Sequence, residues 1–222
     1  MYETNRTAGE IIKNSVMCAA GLFVFAFGVY MTIQANIGVG PWDVLGKGIA
    51  GHIGLQYGTV LTVISATILL IDVIMREPIG IGMILDTCIV GKSVDLYNWL
   101  NIVPAQQSLP RGIAVMLIGI IIECLTMYWY MKASLGCGPR DTFLVALCKR
   151  MPKIPIGAVD VGMLALVTLI GWLLGGPVGI GTLMAAFLAG PILQFVFKIF
   201  RFDAAKVHHQ NLLQSLNVLK GR

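Results

Sequence analysis

Charge is what this sequence has least of. Asp, Glu, Lys and Arg together make up 12% of its 222 residues, against roughly 25% in an ordinary soluble domain. Hydrophobic residues make up 57%, and mean hydropathy is +0.82. A soluble fold of this length has too little polar surface to cover so much apolar material, which leaves an integral membrane protein. The five cysteines (Cys18, Cys88, Cys124, Cys137 and Cys148) are odd in number and show no CxxC spacing. Most sit inside apolar runs, where cysteine acts as a small hydrophobe, so neither a disulfide framework nor a redox pair is expected. Three histidines, two of them adjacent at His208 and His209, have no metal-ligand spacing, and no metal site is expected. There is no Walker motif, no HExxH and no GxSxG. That excludes an ATP-driven pump on this chain alone, implies no cofactor, and leaves an enzyme acting on lipid without a constellation of residues to support it. The net charge of +5 comes from basic residues beside apolar runs, which suits anionic lipid rather than nucleic acid.

What the chain does have is a repeat. Gly38-Val39-Gly40-Pro41-Trp42-Asp43 returns as Gly136-Cys137-Gly138-Pro139-Arg140-Asp141, and Ala35 pairs with Ala133 at the same offset of 98. Glu77-Pro78-Ile79-Gly80-Ile81-Gly82 returns as Gly176-Pro177-Val178-Gly179-Ile180-Gly181 at an offset of 99, shared by Gly58 with Gly157 and Gly91 with Gly190. One residue inserted between the two blocks accounts for the change. The chain reads as a tandem duplication, repeat 1 over residues 12–100 and repeat 2 over 110–200, within a single membrane domain.

Six runs are long enough to cross a bilayer as helices: Ser15–Ile37, Tyr57–Met75, Ile79–Leu100, Gly112–Ala133, Gly157–Leu174 and Val178–Phe200. The first is too long for a signal peptide and has a counterpart in the second half, so it is read as a retained span. Each GxGPxD turn leads into a shorter helix, Asp43–Gly54 and Asp141–Met151. Proline suits the first helical position, and the aspartate suits the positive end of the helix dipole. With both termini cytoplasmic, 13 Lys and Arg fall inside and two outside (Lys47 and Arg111), with Lys92 in a span. Three spans per copy then make the copies inverted repeats, with the first GxGPxD turn facing outside and the second facing the cytoplasm. The end of the chain, 201–222, places Leu212, Leu216 and Leu219 on one helical face and reads as an amphipathic cytoplasmic tail.

Ionisable groups inside spans are costly and are functional candidates by default. Glu123 lies mid-span, on a polar stripe with Gly119, Thr126 and Tyr130, and is the candidate for proton exchange. Asp86 has no partner on its own helix, whereas Lys92 and Asp95, three apart, are expected to pair. Asp43 and Asp141 are expected to cap the short helices or line an entrance. Gly38, Gly40 and Pro41, with Gly136, Gly138 and Pro139, form turns whose backbone groups can hold an ion or a polar solute. The candidate binding set is thus Glu123, Asp86, Asp43, Asp141, Tyr130 and Thr126. Because Glu123 aligns with Phe25, Asp86 with Ala185 and Asp160 with Leu61, a symmetric scaffold should carry an asymmetric cavity.

The segment Gln34-Ala35-Asn36-Ile37-Gly38-Val39-Gly40-Pro41-Trp42-Asp43, with Pro78-Ile79-Gly80-Ile81-Gly82 followed by Asp86 and Gly91, resembles the bacterial YczE/YitT-type integral membrane proteins over roughly Ile12 to Phe200. That resemblance implies a multi-pass protein of the bacterial cytoplasmic membrane, loosely grouped with transporters, and carries over no functional residue. The expectation is an all-α membrane fold that transports a small polar solute, with the bilayer and the solute as partners and room for a homodimer. The alternative is a non-transporting partner protein that docks at the inner leaflet through Lys149-Arg150-Met151-Pro152-Lys153 and the tail.

Overall fold

The computed structural model describes residues 7–202 together with Leu212 and Val218. Among the described residues all regular structure is helical: α1 (Ala8–Gln34), α2 (Pro41–Ile53), α3 (Tyr57–Ile74), α4 (Ile81–Leu100), α5 (Leu109–Ala133), α6 (Pro139–Arg150), α7 (Ile156–Leu173) and α8 (Ile180–Ile199). The expected tail lies outside the described residues, apart from Arg201, Phe202, Leu212 and Val218.

Local chemistry sets the helix ends. Thr7 and Glu10 form a capping box at the start of α1, the Glu10 carboxylate accepting from the Thr7 N–H at 2.8 Å. Pro41 and Pro139 occupy the first positions of α2 and α6, where a missing N–H costs nothing. The helices α1, α3, α5, α7 and α8 are long and apolar enough to cross a membrane. The expected sixth span is α4, which has 20 residues but carries Asp86, Lys92 and Asp95 and is the most polar of the long helices. Outward-facing Ile74, Phe187 and Leu173, each more than 70% exposed, have lipid rather than water as their natural solvent.

The α1 and α5 helices cross antiparallel at close range. Gly21 lies against the backbone of Thr126 and Tyr130, Gly28 against Gly119 and Glu123, and Gly112 against Ala35. Small residues at these points let the backbones approach, which is how helices associate tightly when lipid removes the hydrophobic drive. The two sides of the crossing correspond: Gly21 meets Thr126 and Tyr130 as its counterpart Gly119 meets Gly28 and Thr32.

The glycine turns dock across the halves. Gly38 (φ +104°) presses on Gly179 and Thr182, while Gly136 (φ +112°) presses on Gly80. Both conformations are left-handed and favour glycine. The Gly181 N–H donates to the Ile37 carbonyl at 2.8 Å, and the Gly82 N–H donates to the Leu135 carbonyl, also at 2.8 Å. Each GxGPxD turn is therefore pinned to the glycine turn of the other half. The short helices make the same exchange, α2 packing on α7 and α6 on α3, whereas α1 packs on α4 and α5 on α8 within each half.

One pair breaks the correspondence. Helices α3 and α4 are zipped together where Gly58 and Gly91 meet backbone to backbone, so that a Cβ on either would run into the other's carbonyl. Their counterparts on α7 and α8, Gly157 and Gly190, have nothing within 4 Å of an added Cβ. Helix α8 also carries Pro191 next to that glycine, an interior position where proline removes a backbone hydrogen bond and favours a bend.

Candidate functional site

A cavity of about 370 Å³ lies where the two halves meet, within the usual range for small-molecule sites. Its walls include Phe25, Val29, Leu61, Met127 and Leu193, and its polar groups are Asp43, Asp86, Glu123, Asp141, Asp160 and Arg140, with Tyr130 and Ser65. Glu123, Asp86, Asp43, Asp141 and Tyr130, which lie far apart in sequence, are thus brought together. Thr126 is not among the lining residues: its hydroxyl turns back on the helix and donates to the Ile122 carbonyl at 2.7 Å.

The two motif aspartates are held by tyrosines from different places. The Tyr57 hydroxyl, at the start of α3, donates to Asp43 Oδ1 at 2.6 Å. The Tyr130 hydroxyl, near the end of α5, donates to Asp141 Oδ2 at 3.1 Å. Tyr57 aligns with Ile156 and Tyr130 with Thr32, so equivalent carboxylates have inequivalent partners. Glu123 receives a long 3.5 Å contact from the Thr32 hydroxyl, which is chiefly committed to the Val29 carbonyl at 2.8 Å. Asp86 reaches the first turn of α6, its Oδ2 lying 3.8 Å from where a Cβ on Gly138 would stand, near the positive end of that helix.

Two expectations are corrected. Lys92 and Asp95 do not pair; Lys92 is exposed, and Asp95 instead accepts from the Gly58 N–H at 2.7 Å and the Thr59 hydroxyl at 3.3 Å. An uncapped helix start offers unsatisfied N–H groups to a carboxylate, and the α3 terminus wins over a same-helix lysine. The two GxGPxD turns come together: the Arg140 guanidinium lies over the Trp42 indole, 5.2 Å from its centroid, so the starts of both short helices meet at the cavity. Arg140, counted from sequence among the loop cations, accordingly lines the site.

Sequence reasoning left Arg140, Trp42 and Asp160 out of the site. Arg140 and Trp42 stood inside the repeated motif, at its one position that differs in charge between the copies, and that difference was the available signal. Asp72 was also passed over. It lies outside the cavity, fully buried, with neither carboxylate oxygen partnered among the described residues. It occupies the place that Gly171 takes in the second half.

The basic segment begins in the last turn of α6, and its first two cations make contacts. Lys149 Nζ lies 2.6 Å from Glu77 Oε2, and Arg150 donates to the Met75 carbonyl at 3.1 Å. The matching contact in the other half is His52 Nδ1 to the Leu174 carbonyl, also 3.1 Å. No group of His, Cys, Asp and Glu suited to a metal ion occurs among the described residues.

The sequence profile of a family of unknown function, DUF6198, matches residues 12–198. The chain is 31% identical to the uncharacterized membrane protein YczE of Bacillus subtilis, over 84% of this chain and 86% of that one. It is 29% identical to an uncharacterized protein of Haemophilus influenzae, over 80% of each. It is also 29% identical to YyaS of Bacillus subtilis, over 81% of this chain and 90% of that one. No solved structure matches.

Proposed function

We propose, for a chain that belongs to the DUF6198 family, secondary transport of a small polar solute across the bacterial cytoplasmic membrane. The two halves act as inverted-topology repeats, six spans in all, with both termini cytoplasmic. The antiparallel crossing of the equivalent helices α1 and α5 and the reciprocal docking of the glycine turns support that arrangement. So does the excess of Lys and Arg on one side, which stands when Arg140 is moved from the loops to the cavity.

The observation that carries the reading is the unequal pair of glycine seams. Alternating access requires two halves of like sequence in unlike conformations, which then exchange. Here the α3–α4 seam is shut on Gly58 and Gly91 while the α7–α8 seam stands open at Gly157 and Gly190, and Gly190 borders the cavity. In the opposite state α7 and α8 zip together and α3 and α4 part. Glu123 supplies proton coupling and Asp86 holds the polar solute.

The rival reading is a partner protein docking through the basic segment, whose Lys149 and Arg150 contact Glu77 and the Met75 carbonyl yet stay about half exposed, and through the tail, most of which lies outside the described residues.

Spin labels at Val161 on α7 and Phe187 on α8, both lipid-facing, test the exchange in proteoliposomes. Two label distances are expected, with Glu123→Gln shifting their proportions and removing proton movement. A single unvarying distance across pH and solute conditions would refute the proposal.

A further inference from the structure

We infer that the solute is a small zwitterion, carrying one cationic and one carboxylate group on an apolar skeleton. This rests on reading the cavity as a solute site, and it concerns what the cavity binds rather than whether the protein moves it.

Arg140 decides the class. Ion pairs within 4 Å among the described residues are made by Lys149 and Arg150 with Glu77, so Arg140 pairs with none of the carboxylates that share its cavity. An arginine present only to neutralise acids would fork onto one of them, because bidentate guanidinium–carboxylate contact is the strongest pairing open to it. Instead it lies over Trp42, its guanidinium carbon 5.2 Å from the ring centroid, a cation–π contact that restrains the group and takes up no carboxylate. A planar fork held in this way matches a carboxylate.

The opposite charge is also present and also open. Asp86 and Asp160 border the same cavity and have no hydrogen-bond partner among the described residues. Asp43 and Asp141 differ, being engaged by Tyr57 and Tyr130. A simple cation would satisfy the acids but leave the Arg140 fork without a carboxylate in direct contact, and a simple anion would do the reverse. Burying a charge without a partner is the costlier outcome in either case. A zwitterion satisfies both, and Phe25, Val29, Leu61 and Leu193 cover its skeleton.

Three probes of matched shape separate these cases: leucine, isopentylamine, which lacks the carboxylate, and isocaproate, which lacks the amine. Binding to the intact purified protein in detergent is read by thermal shift and calorimetry near neutral pH. Leucine is expected to bind about tenfold or more tightly than either fragment, the scale of one charge-assisted contact. In Arg140→Gln the preference for leucine over isopentylamine should vanish, and in Asp86→Asn the preference over isocaproate should vanish. A wild-type protein that binds either fragment as well as leucine, or binds none of the three, overturns the inference, and this arm needs no variant to fold. Binding of leucine without flux in proteoliposomes would instead defeat the transport reading and leave the ligand class standing.

Discussion

Trp42 and Arg140 occupy the same position in the two copies of the repeated motif, and they touch: the guanidinium carbon lies 5.2 Å from the indole centroid. On the inverted-repeat reading, a residue and its own counterpart can meet only near the axis that relates the halves. That reading puts the cavity on the axis, where both short helices begin.

Exchanging the pair tests this placement. Trp42→Arg alone puts two guanidinium groups together, and Arg140→Trp alone removes the only cation of the pair. The double variant carrying both changes restores an indole–guanidinium contact with the roles reversed. It is expected to be more thermally stable than either single variant, with a coupling of about 1 kcal/mol. Additive losses in the double-mutant cycle would place the axis elsewhere.

The glycine seams make opposite predictions for the same change. Gly91→Ala forces a Cβ into Thr62 and the Gly58 carbonyl, and overpacking of this kind costs about 1–3 kcal/mol. Gly190→Ala meets nothing within 4 Å and replaces a helical glycine, a gain of roughly 0.5–1 kcal/mol. Unfolding curves in detergent should move in opposite directions. Equal destabilisation would mean that the α7–α8 seam is as tight as its counterpart.

The two tyrosine–aspartate contacts should differ in weight. Asp43 is buried and takes a 2.6 Å hydrogen bond from a buried tyrosine. Tyr57→Phe leaves that carboxylate short of a donor and is expected to cost about 1–3 kcal/mol. Asp141 is only half-buried, and its contact is longer at 3.1 Å, so Tyr130→Phe should cost less. The ranking is read from thermal midpoints of the two variants.

Asp72 is expected to be a stability liability. Its carboxylate is fully buried and unpartnered among the described residues, and the equivalent position in the second half is a glycine. Asp72→Ala removes the stranded polar group, and a gain of about 1 kcal/mol or more in thermal stability is expected. A loss instead would show that the carboxylate has a partner in the membrane-embedded protein.

Helix positions were legible from sequence because apolar runs of bilayer length, proline at N1 and glycine after the helix end are local signals. The expected Tyr57–Met75 and the observed α3 (Tyr57–Ile74) differ by a single residue. Glu123, Asp86, Asp43, Asp141 and Tyr130 line one cavity, and the first four are candidates from sequence because a charged group inside a membrane span must face something other than lipid. Pairings were harder. Lys92 and Asp95 obey the spacing rule for a helical ion pair, yet Asp95 caps α3, because the start of a neighbouring helix is a better donor set than a lysine that can reach solvent.

Composition in the sequence determined the membrane setting and the all-helical architecture, and the recurring motifs were the ground for reading a duplication, since each depends on residues close together in the chain or on self-similarity. The tertiary structure alone decided that both motif turns meet at one cavity, that Arg140 stands there without a carboxylate partner, and that one glycine seam is shut while its counterpart is open. These depend on how like segments from opposite ends of the chain pack against each other. The α3–α4 seam gathers Thr62 and the Asp95 carboxylate on the start of α3, and the aligned positions in α7 and α8 are Val161 and Gln194, so similar segments pack differently.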